Sequence, residues 1–170
     1  MNVPEWLLAV GIPAQCITPQ SAAEEQGRRF IIRPRRDVDG DTIWRVRVDG
    51  CWLNHDVAKV DYLFWGQTGA GRRLLLLVEL KGQDFGKALA QIESTLQLLC
   101  KRSADRGIHT GAHLAAPGHD TVKAYVVLSR GKGVPLRQRE RERIRRRYGV
   151  IVVPVERRCE FDGLAAVEER

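Results

Sequence analysis

An α/β sandwich around a mixed sheet is the fold class predicted by this 170-residue sequence, and three observations predict it. Arg29–Arg33 (RFIIR) and Ile43–Val48 (IWRVRV) alternate apolar with charged residues, the two-residue period of half-buried strands. The run LLLLVEL is apolar without alternation, which reads as a strand buried on both faces. Beyond it the patterns run helix, strand, helix, strand, an order that returns the chain to the same sheet.

The elements follow in chain order. Pro4 and the EWLLAV after it predict a short helix ended by Gly11, and Pro19–Gln26 (PQSAAEEQ) predicts a second, with Ser21 as N-cap and Gly27 as stop. Arg29–Arg33 and Ile43–Val48 are expected to pair as antiparallel strands across the turn DVDGD. Val57–Trp65 (VAKVDYLFW), the connection GQTGAG and LLLLVEL read as a hairpin. Asp84–Lys101 carries Phe85, Ala88, Leu89, Ile92, Leu96 and Leu99 at the three-and-four spacing of an amphipathic helix. Ser103–Asp120 reads as an irregular loop and Val122–Leu128 as a strand. Pro135–Tyr148 reads as an arginine-rich helix stopped by Gly149, and Val150–Val155 as a last strand.

This length suits one domain, so the motifs should share one site or surface. Lys and Arg outnumber Asp and Glu by 28 to 21, an excess that would concentrate a polyanion such as nucleic acid at the surface. Cys16, Cys51, Cys100 and Cys159 form no CxxC pair, which suggests neither a zinc ribbon nor a disulfide framework and fits a reducing cytoplasm. No segment reads as a membrane span or a secretion signal.

The chemistry centres on LVELKG. Glu79 and Lys81 lie two apart on a strand, so both side chains leave one face while Leu80 leaves the other. With a loop over Gly66–Arg73, antiparallel register pairs Trp65 with Leu74 and sets Asp61 opposite Val78, one residue from Glu79. Neighbouring carboxylates repel unless a hard divalent cation sits between them, and Mg²⁺ takes oxygen ligands of this kind. A metal that neutralises phosphate oxygens and orients a water, with an ammonium alongside, is what phosphodiester hydrolysis needs.

Asp61, seventeen residues, Glu79-Leu80-Lys81 and then a helix bearing Gln91 resemble the PD-(D/E)XK superfamily of restriction endonuclease-like nucleases, over about residues 20–130. The resemblance implies a three-layer sandwich around a mixed sheet. It also implies that Asp61 and Glu79 bind Mg²⁺ or Mn²⁺, that Lys81 assists the attacking water and that Gln91 supports the site. An acid from the N-terminal helix often joins such sites, and Glu24 or Glu25 is the candidate here. Val60 stands where the motif has a proline, and Thr95 where some members have a tyrosine. The implied substrate is DNA, with RNA as the alternative. No separate target-reading domain fits this length, so specificity would come from loops, a homodimer or a partner protein. The rival readings are a nucleic-acid-binding module that does not cut and a subunit of a larger complex.

Other features are weighed beside that site. Arg137, Arg141 and Arg145 on the arginine-rich helix, and Lys101 on the preceding one, are candidate phosphate contacts. Glu140 and Glu142 interleave with the arginines as they would in ordinary helical salt pairs. His109, His113 and His119, with Cys100 upstream, invite a zinc reading that Gly107, Gly111, Pro117 and Gly118 oppose. His55 is expected to be a turn residue near Asp61.

Overall fold

The computed structural model describes residues 2–35, 40–53, 56–80, 83–105, 121–130 and 135–169. Among them a sheet of order β1-β4-β5-β6-β7-β8 runs through the middle of the molecule. Its strands are β1 (Ile17–Thr18), β4 (Thr42–Arg47), β5 (Tyr62–Gln67), β6 (Arg73–Glu79), β7 (Thr121–Leu128) and β8 (Ile151–Glu156). The β1/β4, β4/β5 and β5/β6 pairs are antiparallel and the β6/β7 and β7/β8 pairs parallel, so the sheet is mixed.

Helices α1 (Glu5–Ala9), α2 (Phe85–Asp105) and α3 (Gln138–Tyr148) pack on one face of this sheet. The other face is covered by a small sheet, β2 (Ala22–Glu25), β3 (Arg28–Arg33) and β9 (Arg158–Asp162), and by α4 (Leu164–Glu169). This is a mixed α/β architecture compatible with a three-layer sandwich. Among the described residues, no helix is long and apolar enough to cross a membrane.

The apolar run of β6 occupies the middle of the sheet: Leu74, Leu76 and Val78 face the small sheet, while Leu75 and Leu77 face the helices. Each of these side chains, buried, contributes on the order of 1.5–3 kcal/mol, which is why the run tolerates no alternation. Helix α2 lays Phe85, Ala88, Leu89, Ile92, Leu96 and Leu99 against the sheet, the stripe that the spacing predicts. Gly149 ends α3 in the left-handed region (φ 71°), its N–H bonding the Arg145 carbonyl at 2.9 Å. Phe30, Phe64, Tyr125 and Phe161 tie the small sheet to the large one, with ring centroids 5.1–5.9 Å apart.

Two expectations are corrected here. Residues 22–25 form a strand rather than a helix, although Ala and Glu favour helix. They pair with β3 through a two-residue turn at Gln26 (φ 46°) and Gly27 (φ 77°), both left-handed as a tight hairpin requires. β3 and β4 are both strands, as expected, but do not pair with each other. Phe30 and Ile32 belong to the core between the sheets, and β3 runs parallel to β9, an element that the sequence patterns did not suggest.

Four cysteines were expected to stay reduced, yet Cys16 and Cys51 form a disulfide, with Cα atoms 5.6 Å apart. It joins the end of the 3₁₀ turn Ala14–Cys16 to the turn after β4. The inference of a reducing cytoplasm rested on spacing alone, and this pairing removes its ground.

Lys123 is a buried charge inside β7. Its ammonium donates to the carbonyls of Val167 (2.6 Å) and Glu168 (3.0 Å) near the end of α4, so the charge is met by backbone acceptors. Burial holds its pKa below the ordinary lysine value, and the nearby Glu168 carboxylate opposes that shift.

Candidate active site

Two carboxylates meet where β5 begins and β6 ends. The strands pair Tyr62 with Val78 and Trp65 with Leu75, so the register carried one step further sets Asp61 opposite Glu79. The sequence placed Asp61 opposite Val78. The difference arises at the far end, where Gln67 pairs with Arg73 and the connection is a tight turn: Thr68 N–H donates to Arg72 O at 2.9 Å, and Gly71 N–H to Thr68 O at 2.8 Å. A longer ladder shifts the register by one and puts both acids on the same face.

The pair is locked by reciprocal bonds. Asp61 N–H donates to Oε2 of Glu79 at 3.1 Å, and Leu80 N–H donates to Oδ2 of Asp61 at 2.7 Å. These charge-assisted bonds fix the directions in which Oε1 of Glu79 and Oδ1 of Asp61 point. Glu79 has no exposed surface and Asp61 is half-buried. Both follow the odd-numbered residues of their strands to the face covered by α2.

Three further supports hold Asp61. Its carbonyl accepts from Val48 N–H (3.0 Å) and Asp49 N–H (3.4 Å) at the end of β4. Gln91 Nε2 donates to Lys59 O at 2.8 Å, two residues before Asp61, and so clamps the backbone of that segment. One turn along α2, Thr95 accepts from Val60 N–H at 3.0 Å and donates its hydroxyl proton to Gln91 O at 2.8 Å.

Sequence reasoning passed over Thr95, which stood out only as a departure from a motif. The available signal was a hydroxyl on the apolar stripe of an amphipathic helix, a position that requires a buried partner. Replacing Thr95 with Val keeps the volume and strands Val60 N–H, at an expected cost of about 1–3 kcal/mol. A thermal melt of Thr95→Val should show that loss, and a melt superposing on wild type would contradict the role.

The remaining candidates divide clearly. Lys81 lies outside the described residues, as do His55, His109, His113 and His119. Glu24 is on β2, half-exposed, and pairs with Arg29 at 2.8 Å. Glu25 accepts from the Tyr62 hydroxyl at 3.3 Å, on the side of the sheet facing β2 and β3. Burial raises the Tyr62 pKa, and the Glu25 charge and hydrogen bond raise it further. Glu24 and Glu25, the N-terminal acids proposed from the sequence, ride a strand of the small sheet and engage Arg29 and Tyr62. Among the described residues, no group of three or more Asp, Glu, His or Cys side chains is arranged to hold a metal ion.

Of the basic candidates, Arg141 is committed to the fold, its Nε and Nη2 donating to Val152 O at 3.1 and 2.9 Å. Arg145 lies 3.7 Å from Glu142, and Arg137 bonds Glu140 at 3.1 Å. Lys101 is exposed near the end of α2.

Two adjacent carboxylates, one fully buried, supply hard oxygen donors, and this donor chemistry fits a divalent cation. No protein-family model, curated protein or solved structure matches the chain.

Proposed function

We propose that the chain is a metal-dependent nuclease of restriction endonuclease-like fold that hydrolyses phosphodiester bonds in DNA, with Asp61 and Glu79 as the metal-binding pair. The observation that carries this reading is the interlock of the two carboxylates at the end of a buried strand. Mg²⁺ or Mn²⁺ bound there would neutralise charge on a phosphate oxygen and lower the pKa of a coordinated water. Asp61 and Glu79 present oxygens whose directions are set by the backbone of the opposite strand. Gln91 and Thr95 keep the Lys59–Val60 segment from shifting Asp61 out of place. Lys81, two residues beyond Glu79, is assigned the water-positioning role on its spacing. A homodimer or a partner protein would supply target selection.

The test is incubation of the protein with single- and double-stranded DNA and RNA in Mg²⁺ or Mn²⁺, beside Glu79→Ala and Lys81→Ala. Metal-dependent cleavage that disappears in Glu79→Ala and falls in Lys81→Ala is expected. Cleavage persisting in both variants sinks the assignment. A second reading, a nucleic-acid-binding module that does not cut, is favoured by the engagement of one oxygen of each carboxylate with backbone N–H. It predicts DNA binding with no response to metal.

A further inference from the structure

Helix α3 turns Ile144 and Tyr148 to the core and ties Arg141 to β8. Its outer side carries Arg139, Arg143, Arg146 and Arg147, which with Gln138 and Glu142 line an open groove. We propose that this groove is a track for the phosphate backbone of duplex DNA. The proposal rests on the nuclease reading above and names the surface on which its substrate lies. It also moves the contact from the stripe that the sequence nominated, Arg137, Arg141 and Arg145, to the opposite side of the same helix.

Charge on this side is only partly compensated. Arg143 and Arg147 share Glu93 of α2, at 2.7 and 3.9 Å, and Arg145 and Arg146 share Glu142, at 3.7 and 3.2 Å. Two carboxylates thus serve three guanidiniums of this side, and one of them is shared with Arg145 of the other stripe. Arg143, Arg146 and Arg147 are 59%, 80% and 57% exposed, and ion pairs that open to solvent contribute little. Exchanging such a pair for a forked contact to phosphate therefore costs little.

Spacing and placement agree with a backbone track. From Arg139 to Arg146 the helix rises about 10 Å, comparable with three axial steps between successive phosphates on one strand of a duplex. The chain leaves the carboxyl end of β7 to enter α3, and β6 ends in Glu79 at the same edge of the sheet. The arginine row therefore starts at the edge that holds the carboxylates and leads away from it. The lining is made of four arginines with Gln138 and Glu142, so cationic groups predominate where a polyanion would lie.

The test is binding of fluorescein-labelled duplex DNA in EDTA, measured by anisotropy across salt concentration. The proteins are wild type, the triple variant Arg139→Gln/Arg143→Gln/Arg146→Gln, the three single variants, and Arg33→Gln/Arg72→Gln/Arg158→Gln as a control of equal charge change. Each phosphate contact contributes about 0.9 to the slope of log affinity against log salt. The triple variant should lose about 2–3 from that slope and about tenfold or more in affinity, each single about 1 in slope, and the control far less. Wild-type binding that is absent, equal binding by triple variant and wild type, or an equal loss in the control overturns the track. EDTA separates this outcome from the site. An intact salt slope in the triple variant, with Mg²⁺-dependent cleavage by wild type, rejects the track and spares the nuclease. Loss of slope with no cleavage in any metal does the reverse.

Discussion

Glu79→Gln is expected to abolish the response of this protein to divalent metal while leaving it folded. Glutamine keeps the shape and an oxygen for Asp61 N–H but removes the charge that a hard cation needs. In wild type, Mn²⁺ at about 100 times its dissociation constant should add about 2.7 kcal/mol of stability. For a chain of this size that raises Tm by roughly 5–10 °C. In Glu79→Gln the rise should vanish, and cleavage should fall by at least about 10²–10³-fold, the usual scale for loss of one group that stabilises transition-state charge. Without metal, the variant should still unfold in one cooperative transition, because glutamine keeps the volume and the oxygen that accepts from Asp61 N–H. A calorimetric scan with EDTA or Mn²⁺ reads both arms. An Mn²⁺-induced rise that survives in Glu79→Gln removes the residue from the metal site.

The second large effect concerns the disulfide. Cys16 and Cys51 lie 35 residues apart, and closing a loop of that length restricts the unfolded chain by about 4 kcal/mol in the chain-entropy account. The bridge also holds β1, which is only two residues long, beside the turn that follows β4. Reduction, or the pair Cys16→Ala/Cys51→Ala, should lower Tm by about 10 °C. Alkylation of the oxidised protein under denaturing conditions should label Cys100 and Cys159 alone, and all four cysteines after reduction. Equal melting temperatures with and without reductant would show that the bridge contributes nothing to stability.

What the sequence disclosed depended on whether a local pattern or a distant partner decides each element. α2 and β6 were legible because their apolar spacing is itself the cause of their burial. β2 was not, because Ala22–Glu25 favours helix in isolation and becomes a strand only through β3 and the Gln26-Gly27 turn. Asp61 beside Glu79 was legible to within one residue, the error coming from turn length. Gln91 was found by motif and Thr95 missed, since both act by holding the backbone of a segment more than thirty positions away. Cys16 and Cys51 give no local signal, and their meeting depends on how β1 docks against β4.

The carboxylate pair belongs to a single hairpin whose connection lies at the other end of its strands. In folding terms the site has short contacts: Asp61 and Glu79 are joined by fewer than twenty residues, a separation that keeps the loop-closure cost of bringing them together small. The contacts that face the two acids toward each other are local to the β5–β6 hairpin, whereas Gln91 and Thr95 reach its leading segment from α2, more than thirty positions away.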